Sequence, residues 1–329
     1  MKRNKRINQN NLDTPIIKDS EHSFNEKAKK QALSNFVIVF RLFLFFIICG
    51  FISGFLFTYP GFEVRNIKIK GVKYSDASKA EKAAGSCLGE NVFAVMFAGG
   101  RRTKAVSAQN EVVSVKSFVT LPDTLTLAVN ERKPFVLVKN GKNEYLADRN
   151  GTVFHKMAAR DRVKSVPVIV SGAGVPCGRK ISEATADGYK KEQLKKQAEE
   201  TEAFRRNAAS GKPGRFSDTK EIEAFYKNRI ESRQKEIYNL QYLFNVALYA
   251  SEVGIGLEKL EVDGNSSLIL YLSGDGPLVE FGALANTAEK LDMLSVICKK
   301  RPDIIKNARE ICLLDDETAT YKPKNKARR

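Results

Sequence analysis

The stretch VVSVKSFVTLPDTLTLAVNERKP, Val112 to Pro134, decides how this chain is read. Val115, Val119 and Leu121 alternate with polar or small residues, the period of a half-buried strand. Leu125, Leu127 and Val129 do the same beyond Leu-Pro-Asp-Thr. Pro122 fixes φ and Asp123 can bond back to the local backbone, so these four residues predict a tight connection. The stretch is therefore a β-hairpin whose second strand runs into Asn130-Glu131-Arg132-Lys133-Pro134. On periodicity alone it fits any mixed domain.

Working outward, the 329 residues suffice for one or two sizeable cores. The formal charge of +17 suits an anionic partner: a phospholipid surface, a wall polymer or nucleic acid. Of five cysteines, Cys49 lies in an apolar run and four are scattered with no C-x-x-C, which argues against a zinc or redox pair. Cys87, Cys177, Cys298 and Cys312 allow three disulfide pairings, and spacing does not choose among them.

Residues 1–35 are polar, rich in Asn, Lys and Arg, and read as a disordered tail. Phe36 to Tyr59, FVIVFRLFLFFIICGFISGFLFTY, is long enough for a ~30 Å hydrocarbon core. Its charge, Arg41, sits where it can snorkel to headgroups. A buried core helix or a cleaved signal peptide are the other readings. The unbroken apolarity argues against the first, and the length and the missing small-x-small site argue against the second. Eight Lys/Arg precede Phe36, but Arg65, Lys68, Lys70 and Lys73 follow the span, so charge favours a cytoplasmic N-terminus only weakly. No second spanning run follows, which puts 60–329 on one side.

After the span, Phe62 to Gly71 alternates as a strand. Ser75-Asp76 caps a short helix that Gly85 closes, and a second helical stretch lies near Arg101 to Gln109. The hairpin completes a strand, helix, helix, strand, strand order. Strands at 135–139 and 145–147 follow, then Asp148-Arg149-Asn150-Gly151 as a turn into Thr152 to His155. Residues 182–236 are highly charged and helical in composition, with i,i+4 pairs Glu192–Lys196 and Glu202–Arg206. Asp218 and Glu221 form a capping-box pattern before an apolar stripe: Ile222, Phe225, Ile230, Ile237, Leu240, Phe244 and Ala247. Strands return at 257–262, 267–272 and 278–281. A helix from about Lys290 ends at Arg301-Pro302, and strands at 311–314 and 318–321 flank Asp315-Asp316-Glu317. Lys322 to Arg329 is a basic tail.

Catalytic signatures are missing: no Gly-x-Ser-x-Gly, no His-Glu-x-x-His, no P-loop. His22 falls in the tail and His155 in a strand, where a lone His is ordinarily structural. The acidic triplet at 315–317 reads as a loop, because adjacent strand residues alternate faces. No catalytic, cofactor-binding or metal-binding residue is expected, and the chain is read as a non-enzyme.

The wording of four segments is more specific than their period. Leu121-Pro122-Asp123-Thr124-Leu125 through Glu131-Arg132-Lys133-Pro134, then Asp148 to Phe154, then Val166 to Gly172, then Phe281-Gly282 with Lys290-Leu291, occur in order behind one anchor. In this the chain resembles the bacterial cell-division family FtsQ/DivIB. The resemblance implies an α+β architecture: a cytoplasmic tail (1–35), a transmembrane helix (36–59), a POTRA domain (60–134) and an FtsQ-type β-domain (135–321). The chain departs from the family at 182–236, which reads as an inserted, extended helical hairpin. The implied role is a divisome scaffold at the septal plasma membrane. It would bind FtsB-like and FtsL-like proteins and be coupled to the septal peptidoglycan synthase. Partner contact is expected at the last strand, at Thr318, Thr320 and Tyr321, by strand addition. The rival from another class is a membrane-tethered envelope protein that binds a polyanion, wall polymer or DNA.

Overall fold

A computed structural model describes residues 15–158, 163, 165–209, 215–313 and 318–324. Helix α1 runs Pro15–Thr58. Its Leu33–Thr58 portion is the one helix among the described residues long and apolar enough to cross a membrane, and none of it is buried in protein. Residues 15–35, expected to be disordered, are helical. The physical reason is nucleation: the apolar segment already supplies the costly first turn, and Lys, Glu, Ala and Gln extend it cheaply. Residues 1–14 of the expected tail lie outside the described residues.

A 3-10 turn, Pro60–Phe62, leads to β1 (Asn66–Lys70), α2 (Ala77–Gly85), α3 (Val92–Arg102), the short α4 (Lys104–Ser107), β2 (Val112–Thr120) and β3 (Thr124–Glu131). These three strands form a sheet in the order β1-β3-β2. The helical stretch expected near Arg101 to Gln109 is present as the end of α3 and the short α4, and the helix that begins earlier, at Val92, was not expected. Asn91 caps it by accepting the Phe93 N–H at 2.9 Å. Leu125, Leu127 and Val129 are buried as expected, but Leu121 is exposed. It stands in the three-residue turn, beyond the last strand residue facing the core.

The contacts divide the chain into two compact units that interleave along the sequence. The first holds the described residues up to Lys68 with Ala84–Arg102 and Ser117–Thr126. Its core gathers Val64, Cys87, Val92, Val95 and Leu125. Asp123 ties the hairpin turn to β1, its carbonyl accepting the N–H groups of Arg65 and Asn66. The second unit holds Ile69–Ala83, Thr103–Lys116 and everything described from Leu127 onward.

That second unit contains β4 (Val136–Asn140), β5 (Asn143–Ala147), β6 (Val153–Lys156), β7 (Val168–Val170), α5 (Asp187–Ala209), α6 (Thr219–Val253), β8 (Leu257–Val262), β9 (Ser267–Leu272), β10 (Leu278–Ala283), α7 (Thr287–Lys300), α8 (Pro302–Asn307), β11 (Ala308–Cys312) and β12 (Thr320–Pro323). Nine strands make one sheet in the order β12-β11-β10-β9-β8-β7-β4-β5-β6. Two neighbouring pairs explain the helices. β7 and β8 are parallel, as are β10 and β11. Parallel neighbours need a crossover, usually helical. α5 and α6 lie in the first such connection, α7 and α8 in the second. One face of the sheet, with Val138, Ile169, Leu260, Leu270, Val279 and Phe281, packs under α6 and α7 residues such as Leu240, Leu243, Leu291 and Leu294. The other face carries polar pairs: Tyr271 donates to Glu261 at 2.8 Å and Lys259 pairs with Glu261 at 2.7 Å.

The charged 182–236 region is continuous with this core. α6 runs unbroken past Glu236. Its first half buries Ile222, Tyr226 and Ile230, its second half Ile237 through Ala250. Phe225, expected in the stripe, is only half-buried and lies against the Arg215 and Arg229 guanidinium groups. Asp218 caps α6 by accepting the Glu221 N–H at 2.7 Å, and Glu221 reaches back to the Ser217 N–H and hydroxyl.

The Glu131-Arg132 pair that ends β3 anchors two segments. The Glu131 carboxylate accepts the backbone N–H groups of Lys73, Tyr74 and Ser75 and the Ser75 hydroxyl. Burial pushes its carboxyl up, but the Ser75 hydroxyl and these N–H groups outweigh it, so the group titrates below the ordinary glutamate value. Gly71 starts this loop at φ +85, where a Cβ would meet the Val129 carbonyl oxygen at 2.1 Å. Arg132 donates to the Asn110 carbonyl at 2.9 Å and to Asp148 at 2.7 Å. Asp148 also accepts the N–H groups of Asn150 and Thr152, forming the Asn150-Gly151 turn.

Two outcomes follow from these bonds. Arg132→Ala leaves the mostly buried Asp148 without its cation and is expected to cost about 2–3 kcal/mol in denaturant unfolding. A loss under about 0.5 kcal/mol would make the pair an ordinary surface one. Because the folded pKa of Glu131 is depressed, its contribution is complete above the unfolded glutamate value and disappears as pH falls through the folded value. Glu131→Gln should therefore flatten the acid limb of a stability–pH curve, measured by denaturant unfolding from neutral pH to pH below the glutamate range.

Candidate functional site

The end of the nine-stranded sheet is formed by β12, and all four of its residues are exposed. It pairs antiparallel with β11: Thr320 lies opposite Cys312, Tyr321 opposite Ile311 and Lys322 opposite Glu310. The strand begins two residues later than the sequence suggested. Thr320 and Tyr321 fall within it. Thr318 precedes it and is exposed. Lys322 and Pro323, read as part of the basic tail, belong to the strand, and β11 ends at Cys312, not Leu314. The sequence signal for this was Pro323, since proline is confined to strand ends and edges. The triplet at 315–317 lies outside the described residues.

A terminal strand spends one row of N–H and C=O groups on its neighbour and presents the other row outward. The opposite end of the sheet is treated differently. Beside β6, Val153 donates to the Arg179 carbonyl and Gly178 to the Val153 carbonyl, so the 178–180 segment lies along that edge. For β12, the residue just past its C-terminal end is tied instead: Lys324 donates its N–H to the Asn307 carbonyl at 2.7 Å, and its ammonium to the Asp275 carbonyl at 3.1 Å.

The side chains behind β12 are charged. Lys322 donates to Glu310 at 2.8 Å, which holds the Glu310 carboxyl below its ordinary range and raises the lysine. The Cys312 thiol lies 3.4 Å from Glu310 and 3.9 Å from Glu280. Burial, and then the Glu310 carboxylate, push this thiol up. Donor atoms of Glu280, Glu310 and Cys312 fall within 4.8 Å of one another, a spacing a metal ion accepts. The Lys322 ammonium sits on one Glu310 oxygen, giving an edge-strand ion pair with a thiol beside it. Among the described residues the five cysteines are thiols, with no disulfide.

Elsewhere in this unit an open cleft of about 860 Å³ lies where β4, β7 and β8 begin, lined by Phe135, Ser165, Pro167, Ser251, Glu258 and Ser273 among others. Glu258 is the one ionisable group among its described lining residues. That leaves a carboxylate without the partner that general acid–base chemistry needs. His155 stands 3.3 Å from Glu111 and against the Tyr74 ring, a packed strand position. Lys290 is buried and donates to the Phe281 carbonyl at 2.9 Å, next to the bulge at Gly282. The Phe-Gly and Lys-Leu pairs of the sequence are thus the two ends of one structural hydrogen bond.

The chain is similar to a curated protein of Corynebacterium glutamicum named cell division protein FtsQ, with 29% identity over 110 residues. That covers 32% of this chain, and the chain spans about half, 45%, of the relative's length. No family model matches. The structure is mixed α+β with one N-terminal apolar helix, which fits a membrane-anchored division protein.

The thiol offers a check on the electrostatics of this edge. At neutral pH, Cys312 should alkylate more slowly than a solvent-exposed cysteine, because a raised pKa leaves less thiolate. Glu310→Gln should speed it. Peptide mass spectrometry of iodoacetamide-treated protein reads both.

Proposed function

We propose that this chain is a membrane-anchored, non-enzymatic scaffold of the FtsQ/DivIB type that works at the division septum. In this reading residues 60–134 are a POTRA domain, residues 135–321 the β-domain, and the N-terminus is cytoplasmic. The observation that carries the proposal is the exposed terminal strand β12 on a long sheet whose other end is covered. A partner strand can add there through main-chain bonds, with Tyr321 as an aromatic contact beside it. The similarity to a protein named for cell division supports the setting. The partners proposed are FtsB-like and FtsL-like membrane proteins and, through them, the septal peptidoglycan synthase.

The charge distribution does not favour the polyanion reading over this one. In α5 and α6, Lys196 and Lys227 stand beside Glu192 and Glu231, and Arg229 of α6 and Arg215 before it lie on the Phe225 ring. Such groups are already neutralised or stacked, which weakens a phosphate-tracking surface.

The test exploits strand geometry. Successive N–H groups of a strand point to opposite sides, so one of Thr320→Pro and Tyr321→Pro removes an outward donor and the other an inward one. The outward variant should abolish co-purification with the FtsB-like partner and midcell fluorescence of a tagged chain, with thermal unfolding unchanged. If both variants keep the partner, strand addition at β12 is wrong.

A further inference from the structure

Helix α3 is apolar on two sides, and the protein covers one of them and only the start of the other. Val92 and Val95 are buried in the first unit's core beside Val64, Cys87 and Leu125. Phe93, Met96 and Phe97 follow the i, i+3, i+4 spacing of a second face. Phe93 is half-buried, while Met96 is 55% and Phe97 79% exposed. A helix that shows large apolar side chains on the face away from its core has a second apolar phase to meet.

The position of α3 says which phase. Asn91, its cap, donates its side-chain amide to the Leu56 and Phe57 carbonyls at 2.9 and 3.1 Å. These are last-turn carbonyls of α1, which lack intrahelical donors. The start of α3 therefore lies level with the end of the apolar span. Phe93 meets the Phe57 ring at 6.1 Å and the Phe62 ring at 5.3 Å, so the face that leads to Met96 and Phe97 begins in contact with the span itself. An aromatic group gathers at this level: Phe55 stacks on Tyr59, and Tyr59 meets Phe62. Aromatic rings of this kind favour the membrane–water boundary.

We propose that α3 is a membrane-surface helix, with its Phe93–Met96–Phe97 face set into the headgroup–acyl boundary of the bilayer that α1 crosses. The occupant of this face is phospholipid. The inference rests on α1 spanning the membrane. α3 then gives the outer part of the first unit a second attachment, about one helix turn from the first, and restricts how it swivels on α1.

The chain contains no tryptophan, so a single introduced one is an unambiguous probe. The full-length protein is reconstituted in phosphatidylethanolamine–phosphatidylglycerol vesicles containing acyl-brominated phosphatidylcholine. Phe97→Trp and, separately, Met96→Trp replace exposed side chains and leave the core untouched. Both are expected to lose most of their emission to the brominated lipid and to be shielded from aqueous acrylamide. Phe51→Trp, an exposed position within the span, reports α1 independently. If Phe51→Trp is quenched by the lipid while both α3 probes stay open to acrylamide, the surface-helix proposal fails and the spanning helix stands. A protein partner for this face would give that same result in vesicles holding this chain alone. If Phe51→Trp is itself unquenched, α1 does not span and the proposal falls with it.

Discussion

Arg132 cannot leave Asp148 without disturbing three things at once. The same guanidinium holds the Asn110 carbonyl, the same carboxylate shapes the turn into β6, and the residue before Arg132 clamps the loop at 73–75. Adjacent residues on a strand point to opposite sides, so Glu131 and Arg132 serve two neighbours from one short segment. This is why an ion pair and an N–H cradle stand at the exit of β3. They fix how the chain passes from β3 into β4. The large sheet in turn sets β12 in place through eight strand pairings.

Much of this was legible in sequence where the signal was local. The alternation of Leu125, Leu127 and Val129 predicted a strand with a buried face, and Asp218 with Glu221 predicted a helix start. The spacing of Ile237, Leu240, Phe244 and Ala247 predicted the face that α6 lays on the sheet. The Glu-Arg and Asp-x-x-Gly strings were visible as words, but their bond to each other was not, because it depends on two turns folding first. The start of helix α3 was missed for a different reason. VFAVMFAGG is apolar at nearly every position, so neither a period of two nor one of 3.6 stands out, and Asn91 is the signal that separates them.

The edge strand shows the limits of pattern in another way. Thr318, Thr320 and Tyr321 were chosen by position near the end of the chain, and two of the three fall in β12. The two-residue offset arises because alternating small and polar residues fit either register, and the pairing with Glu310 and Cys312 that fixes it lies in another segment. The crossover logic was not readable at all. It needs the knowledge that β7 and β8 are parallel neighbours, which no local pattern carries.

The unbroken course of α6 has a consequence for how its charged half can change. At about 100° per residue, one added or lost residue between Ile230 and Ile237 would swing the outer half round its own axis. Ile222, Tyr226 and Ile230 would then face water instead of α5, while Leu240 and Phe244 stayed seated on the sheet. Length changes here are tolerable only near whole numbers of helical turns, such as about seven, eleven or eighteen residues. The outer hairpin is geared to the sheet and cannot drift in orientation by small indels, as a loop-borne insertion can.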